Sequence, residues 1–199
     1  MGRKSVEKDR KLKTKKVEKW TQELVPRLAY VELGSLTMDD LAKLLNKSKS
    51  TVYQYFTTKE EIFEYITQVR IDALVQYKNE LNKQSDDIRY HYEGLALILS
   101  EGARDISPYY LHQLKINFPT AWKIIEDFLY TLLKDLKLFY EKGMSNNLFK
   151  PISIELLHKL DQYFIMQLIT DYHFFNETET SLGEMIKDYM FLKFEGLNK

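Results

Sequence analysis

The sequence predicts an all-α protein, and three observations support this fold class. Only 7 glycines and 4 prolines occur in 199 residues, so long helices joined by short loops are expected. Apolar residues recur at spacings of three and four, and no segment alternates as a strand would. With 44% apolar and 14% aromatic residues, the chain can bury a substantial core.

Charge is unevenly distributed along the chain although the net charge is zero. Residues 1–59 contain 14 Lys and Arg against 7 Asp and Glu, and residues 60–199 contain 15 against 22. A basic end favours a polyanionic partner, and the acidic remainder would be oriented away from that partner. A solvated lysine-rich tail at residues 3–19 is the alternative interpretation.

Several classes of function are excluded or disfavoured by what the sequence lacks. The chain has no cysteine, which excludes disulfides, thiolate metal sites and cysteine nucleophiles. The charge-free runs are too short to span a bilayer, so a soluble cytoplasmic protein without a membrane partner is expected. No zinc-protease, phosphate-loop or nucleophile-elbow motif occurs, and we expect no catalytic residue, metal or cofactor.

One pair of residues resembles part of a metal site. Glu155 and His158 have the Glu-x-x-His spacing of di-iron helical bundles, but such a site needs a second copy of the motif and two further Glu residues. No second copy occurs. We therefore interpret His158 as a surface or interface histidine.

The first predicted helix carries Val17, Trp20, Leu24, Leu28 and Val31 on its apolar face. Pro26 removes a backbone hydrogen bond within this segment, so a kink or a late helix start is expected there. Gly34 is the predicted end of the helix.

Two short helices joined by a tight turn follow. Thr37 is the predicted N-cap of the first, with Asp40 completing a capping box. Asn46 tolerates the left-handed conformation that a sharp turn needs, and Ser48 is the predicted N-cap of the second helix at residues 49–56. Neither helix can bury much alone, and this arrangement is typical of a helix-turn-helix unit.

The remaining pattern predicts a helical bundle. Thr58 and Glu61 form a further capping box that opens a long helix over residues 59–82. Later helices are predicted at residues 86–104, 107–117, 119–142, 153–175 and 181–194, with a break over residues 143–147. Ser107-Pro108 is the predicted start of the second of these helices, and Ser181 with Glu184 is the predicted cap of the last. The chain is therefore predicted to contain an N-terminal basic arm and helix-turn-helix domain at residues 1–58 and a helical domain at residues 59–199.

The predicted helix at residues 153–175 is apolar on more than one narrow stripe. A helix of this kind is explained if it packs both on its own domain and on a second copy of the chain. An internal position in a larger bundle is the alternative. The predicted homodimer interface, which also draws on the last helix, consists of Leu157, Phe164, Ile165, Leu168, Tyr172, Ile186 and Tyr189.

Residues 34–63 resemble the DNA-binding signature of the TetR family of bacterial one-component transcriptional regulators. The residues that carry this resemblance are Gly34, Thr37, Leu41-Ala42, Ser48, Thr51, Val52-Tyr53, Tyr55-Phe56, Lys59-Glu60-Glu61 and Ile62. The chain departs from the family pattern at Asn46-Lys47, where Gly-Val is usual. Asn can make the same turn, and Lys47 would add a phosphate contact.

The resemblance implies a function as well as a fold. It implies an N-terminal three-helix helix-turn-helix DNA-binding domain, followed by a C-terminal helical bundle for ligand binding and dimerisation. The implied function is a homodimeric repressor that binds a palindromic operator in double-stranded DNA and is released by a small-molecule effector. A helical ligand-binding or adaptor protein with a non-functional helix-turn-helix is the alternative.

Two sets of site residues also follow from the resemblance. DNA contacts, mostly to phosphate, are implied at Thr37, Lys49, Ser50, Thr51, Tyr53, Tyr55 and Lys59. Base edges would be read by Lys49, Ser50 or Gln54, with Gln suited to adenine and Lys to guanine. A ligand cavity is implied in the bundle; its candidate lining residues, which ordinary core packing would also explain, are Tyr92, Tyr109, Tyr110, His112, Phe118, Trp122 and Tyr163.

Overall fold

The computed structural model describes residues 11–82, 87–175 and 180–198. Residues 1–10 of the predicted basic arm and the predicted helix start at residue 86 lie outside these ranges. The described residues form no β-strand, and a lone bridge joins Phe149 to Asn198. The all-α prediction is confirmed.

Eleven α-helices occur within the described residues. They are α1 (Lys15–Gln22), α2 (Leu24–Arg27), α3 (Met38–Leu44), α4 (Lys49–Tyr53), α5 (Lys59–Leu74), α6 (Tyr77–Leu81), α7 (Ile88–Gly102), α8 (Pro108–Asn117), α9 (Pro119–Ser145), α10 (Ile154–Thr170) and α11 (Leu182–Leu197). Short 3-10 turns at Leu33–Ser35 and Tyr172–Phe175 complete the described secondary structure. No helix among the described residues has both the length and the apolar character needed to cross a membrane.

The predicted caps explain where most helices begin. Thr37 and Asp40 form a complete capping box at α3, and Ser181 and Glu184 form another at α11. Ser107 accepts a hydrogen bond from the Tyr110 amide at the start of α8. These predictions are confirmed. At α5 the Thr58 side chain accepts from the Glu61 amide as predicted, while the Glu61 carboxylate accepts from the amide of Thr57, one residue earlier than expected.

The first predicted helix is divided where Pro26 was expected to disturb it. α1 ends at Gln22 and α2 ends at Arg27, so the predicted helix end at Gly34 is wrong. Gly34 instead lies in the 3-10 turn, where an added Cβ would be 2.5 Å from Oδ1 of Asn117. The glycine therefore permits a close approach to α8.

Other helix boundaries also differ from the prediction. α4 ends at Tyr53 instead of residue 56, α10 ends at Thr170 instead of residue 175, and α11 continues to Leu197 instead of ending at residue 194. The helix expected over residues 59–82 is interrupted at Val75 and Gln76, because Tyr77 turns into the core and its hydroxyl donates to Asp135 at 2.6 Å. The break predicted over residues 143–147 is present but starts later than expected. α9 continues to Ser145, and an added Cβ on Gly143 would be 2.2 Å from the buried Phe149 ring.

The core consists of two clusters, and the first crosses the predicted domain boundary. It joins residues of α1–α5, such as Val52, Phe56 and Phe63, to Phe118 and Trp122 near the start of α9. Phe63 and Phe118 stack with ring centroids 4.0 Å apart. The second cluster lies among α6, α7, α9, α10 and α11. The segment before α5, here called the N-terminal unit (residues 15–58), is thus packed directly on the bundle.

Candidate nucleic-acid interface and cavity

The short helix α4 is held against the N-terminal unit by buried apolar side chains and a cap. Val52 and the following Phe56 are 0% exposed, and Trp20 packs edge-on against Phe56 with ring centroids 6.1 Å apart. The Ser48 hydroxyl accepts a hydrogen bond from the Thr51 amide at 3.1 Å. Because so short a helix is unstable in isolation, these contacts fix the direction of its polar face.

The polar face of α4 is open to solvent. Lys49, Ser50, Tyr53 and Gln54 are all exposed, and the Lys49 ammonium lies 5.9 Å from the centroid of the Tyr53 ring. Donors and acceptors on one exposed helical face are what recognition of base edges in a major groove requires. The structure therefore brings together these four predicted contact residues.

Thr51 and Tyr55 are half-buried and have partners within the N-terminal unit. The Thr51 hydroxyl lies 2.8 Å from that of Ser48, and the Tyr55 ring packs against Trp20 with centroids 6.1 Å apart. Both residues support α4 from beside its exposed face. Their implied contacts with phosphate remain predictions.

Thr37 and Lys59 lie at the starts of α3 and α5 but differ in accessibility. Thr37 is exposed, and its hydroxyl donates to Asp40 at 2.6 Å. Hydrogen bonds from the Thr37 side chain and amide lower the pKa of Asp40. Lys59 is half-buried; its ammonium donates to the Gly34 carbonyl at 2.8 Å and lies 5.6 Å from the Phe118 ring centroid. Lys59 therefore ties α5 to the turn before α3.

An ionic contact that the sequence pattern did not predict lies at this surface. The carboxylate of Asp39 lies 2.7 Å from the Lys49 ammonium and raises the pKa of Lys49. Both side chains are exposed, so the pair contributes little to stability. A DNA acceptor bound by Lys49 would replace Asp39. No local spacing could have revealed the pair, because it joins two helices across the turn.

An apolar cavity of about 120 Å³ lies inside the bundle. Ile66, Thr67, Arg70, Ile71 and Leu74 of α5 form one wall, and residues of α7–α11 form most of the remainder. The same helix that begins beside the Gly34 turn thus borders the cavity further along its length.

Of the seven aromatic residues predicted to line a ligand site, only Tyr110 borders this cavity. Tyr92 packs in the second cluster against Phe194, with centroids 4.7 Å apart, and Tyr163 is 70% exposed. Phe118 stacks on Phe63, and the Trp122 indole donates to Glu126 at 3.0 Å. Tyr109 and His112 pack around Tyr172. The spacing of the aromatic residues did not indicate which of them converge.

The predicted dimer residues are used largely within the protomer. Leu157 and Leu168 are 4% and 1% exposed, so both leucines are buried within their own chain. Phe164 stacks on Tyr189 with centroids 4.0 Å apart. Ile165 and Ile186 border the cavity, and Tyr172 packs on Tyr109 and His112. These contacts show that α10 packs on α11 and on α8, which the sequence pattern alone could not distinguish from packing on a second copy.

A different set of apolar side chains is open to solvent on α10. Leu156, Leu160 and Tyr163 are 53%, 49% and 70% exposed. Their spacing of four and three places them on one face of the helix. Leu192 of α11 is 77% exposed. The exposed face of α10 is therefore displaced from the predicted one.

Glu155 and His158, which have the Glu-x-x-His spacing, are not grouped with other metal-ligating side chains among the described residues. Glu155 accepts a hydrogen bond from the Ser153 hydroxyl at 3.3 Å, at the start of α10. No group of three or more His, Asp or Glu side chains that could hold a metal ion occurs among the described residues.

Comparisons with known proteins agree with this geometry. Residues 33–66 match the family model described as bacterial regulatory proteins, tetR family. The uncharacterized HTH-type transcriptional regulator YvaF of Bacillus subtilis (strain 168) is 26% identical over 96 residues, which are 48% of this chain and 50% of that protein. The alignment therefore spans about half the length of that relative.

Solved structures share the fold along most of the chain. The TetR family regulator PfmR from Thermus thermophilus is 18% identical with a TM-score of 0.64, covering 90% of this chain and 99% of PfmR. The ketosteroid transcriptional regulator KstR2 of Mycobacterium tuberculosis is 14% identical, also with a TM-score of 0.64, covering 95% of this chain and 97% of KstR2. Residues 33–66 thus match the TetR family model, and the chain as a whole shares the fold of these solved transcriptional regulators.

Proposed function

We propose that the protein is a homodimeric, DNA-binding repressor of transcription that reads a palindromic operator with α4. The observation that carries this proposal is the exposed face of Lys49, Ser50, Tyr53 and Gln54, held outward by the burial of Val52 and Phe56. The match of residues 33–66 to the TetR family model supports the same function. A regulator of bacterial transcription acts in the cytoplasm, where it meets the chromosome.

The roles proposed for the contact residues separate base reading from positioning. Lys49, Ser50 and Gln54 read base edges, whereas Thr37, Thr51, Tyr53 and Tyr55 bind phosphate, which fixes the register without reading sequence. Lys59 is also proposed to bind phosphate, as the resemblance to the TetR signature implies. Its bond to Gly34 adds a second role, since it also sets the position of α5 relative to α3.

Variants of α4 test the proposed roles. Lys49→Ala combined with Gln54→Ala should relax the preference for the operator over altered half-sites, because each well-placed base contact contributes about 1–3 kcal/mol of discrimination. Lys59→Ala should weaken binding to all sequences alike. Fluorescence anisotropy on matched operator and altered duplexes measures both effects. The opposite pattern would contradict this assignment of roles.

The exposed face of α10 supplies the proposed dimer contact. Leu156, Leu160 and Tyr163 form an apolar stripe, and a second copy would bury it by symmetric packing. Leu160→Glu should yield a monomer in sedimentation experiments. Leu97→Glu, at a leucine that is 55% exposed on α7, is the matched control and should stay dimeric. A dimeric Leu160→Glu protein would contradict this interface.

The apolar cavity is the proposed effector site. Its lining suits an uncharged apolar group, and α5 connects the cavity wall to the Gly34 turn. An effector that favours a different position of α5 would shift the population of dimers away from the spacing that DNA requires. Benzene, a probe that dry cavities of roughly this size accept, should raise the melting temperature. Ile125→Phe, which fills the cavity, should abolish that rise.

A further inference from the structure

We propose that residues 11–16, which precede and begin α1, form a second DNA-contacting element on the phosphate backbone flanking the groove read by α4. We call residues 11–16, Lys-Leu-Lys-Thr-Lys-Lys, the basic arm. The inference rests on the proposed function above. It assigns a partner to a segment that lies outside the helix-turn-helix.

A backbone hydrogen bond anchors the basic arm to the end of the reading helix. The amide of Lys11 donates to the carbonyl of Gln54 at 3.1 Å, and Gln54 is the C-cap of α4. When α4 lies in a major groove, a residue bonded to its end lies at the edge of that groove. The sugar-phosphate backbone runs along this edge, so Lys11 is placed near phosphates.

Lys13 anchors the basic arm a second time. Its ammonium lies 4.8 Å from the ring centroid of Phe56 and 5.1 Å from that of Tyr65. Phe56 is part of the buried core beneath α4. A cation over two aromatic rings is attracted to their faces, so the basic arm is packed on the N-terminal unit beside the reading helix.

The charges that remain on the basic arm suit a polyanion. Lys11, Lys15 and Lys16 are exposed, and within the described ranges none of them forms an ion pair. The arm contains no acidic residue, and residues 3–10 add four basic residues against two acidic ones. Lysines placed beside a duplex neutralise phosphates and release counterions. The position of Lys11 next to Gln54 favours DNA over an acidic protein as the partner.

The test compares two variants with the same loss of charge. Lys11→Gln, Lys15→Gln and Lys16→Gln are combined in the arm variant. Lys134→Gln, Lys142→Gln and Lys187→Gln, at exposed positions of α9 and α11, form the control. Both proteins are full length, and circular dichroism checks that they are folded. The measurements are affinity for the selected operator as a function of salt and hydroxyl-radical footprinting of the complex.

The arm variant should show a weaker salt dependence of operator binding and should lose protection at the outer edges of the footprint. The log-log salt slope should become less negative by about 0.9 for each lysine that binds phosphate, or about 2.7 for each protomer. The control should keep the wild-type slope and footprint. If the arm variant binds the operator with an unchanged salt slope and an unchanged footprint, the proposal for the arm is overturned and the proposed function is not. Absence of DNA binding by the unmodified protein would overturn the proposed function as well.

Discussion

At the scale of single residues, the turn between α3 and α4 depends on one side chain. Asn46 has φ 53°, in the left-handed region that costs most L-residues about 1–2 kcal/mol. The DNA-binding signature that residues 34–63 resemble usually has Gly-Val where this chain has Asn46-Lys47. The sequence prediction that Asn makes the same turn is confirmed. The departure from the family pattern therefore preserves the geometry that presents α4.

Asn46→Ala should lower the free energy of unfolding by about 1 kcal/mol, because Ala cannot adopt the left-handed conformation at low cost. Asn46→Gly is the matched control and should stay within about 0.5 kcal/mol of the wild type, since Gly tolerates this conformation. Urea unfolding measures both values. Equal losses in the two variants would show that the Asn46 side chain, rather than its backbone conformation, stabilises the turn.

A buried ionic cluster is the second feature at this scale. Asp161, only 1% exposed, pairs with Lys193 and accepts hydrogen bonds from Tyr140 at 3.0 Å and Tyr189 at 2.8 Å. The cluster joins α9, α10 and α11 inside the second core cluster. Because each charge has a close partner, the penalty for removing both from water is offset.

Lys193→Met should lower the free energy of unfolding by about 3–5 kcal/mol, because it leaves the Asp161 carboxylate buried without its cation. Lys123→Met, which breaks the exposed pair with Asp127 at 2.8 Å, is the control and should lose less than about 1 kcal/mol. Adding Asp161→Asn to Lys193→Met should recover much of the loss. Similar unfolding energies for the two single variants would contradict a stabilising role for the buried cluster.

At the scale of helices, the sequence predicted starts better than ends. Thr37, Ser48, Ser107 and Ser181 were correctly predicted as N-caps because each cap is a local hydrogen bond. Ends depended on tertiary packing. The interruption after Leu74 accompanies burial of Tyr77, and the buried Phe149 ring packs against Gly143 where α9 continues. Both residues are close in sequence to these boundaries, but their burial is set by the fold, as the bond from Tyr77 to Asp135 shows.

Gly143→Ala should destabilise the protein by roughly 1–3 kcal/mol, because the new Cβ would overlap the buried Phe149 ring at 2.2 Å. Gly196→Ala is the matched control. It lies in α11 with no atom within 4 Å of the added Cβ, so it should be neutral or stabilising by up to about 1 kcal/mol. Thermal unfolding compares the two proteins. Stabilisation by both substitutions would contradict the close packing at Gly143.

At the scale of the whole molecule, charge and packing divide the chain differently. The basic charge lies in residues 1–59, but the first core cluster joins this region to Phe118 and Trp122 of the bundle. Lys59 and Phe63 make the connection, because the Lys59 ammonium lies over the Phe118 ring and the Phe63 ring stacks on it. Because the N-terminal unit is packed directly on the bundle, a movement of the bundle can change the position of α4. The proposed release mechanism requires this coupling.

The candidate sites differ in how well the sequence predicted them. The exposed face of α4 was predictable because a specific motif fixes Val52 and Phe56 as buried. The cavity was not, because Tyr110 reaches it while Tyr92 and Phe118 pack elsewhere. The exposed stripe of α10 was also missed. Leu156 and Leu157 are adjacent and equally apolar, and only tertiary packing decides that Leu157 is buried.

Stability should fall at alkaline pH. Burial raises the pKa of Tyr77, Tyr92, Tyr110 and Tyr140 above 10. Each tyrosine therefore contributes stability that is present below pH ~10 and is lost as the pH rises toward its folded pKa, at about 1.4 kcal/mol per pH unit. Burial lowers the pKa of Lys193 and of Arg70, so these two groups oppose the trend at pH values below their unfolded pKa.

Urea unfolding at pH 8, 10 and 11 measures how the free energy of unfolding changes with pH. The unfolding free energy should fall between pH 10 and pH 11, and Tyr110→Phe should reduce the slope by one tyrosine's share. A slope that is flat or rising above pH 10 would show that these hydroxyls ionise as readily in the folded protein as in the unfolded chain.

Selection of bound fragments from random double-stranded DNA tests the central claim most directly. The protein should enrich an inverted repeat whose half-sites are centred about 34–36 Å apart or a multiple of one helical turn. Lys49→Ala with Gln54→Ala should lose the consensus within each half-site. A folded protein whose cavity binds benzene is tested at low salt. If it neither enriches nor shifts any DNA sequence there, the proposal that α4 reads an operator is contradicted. That result would instead favour a ligand-binding protein with a non-functional helix-turn-helix.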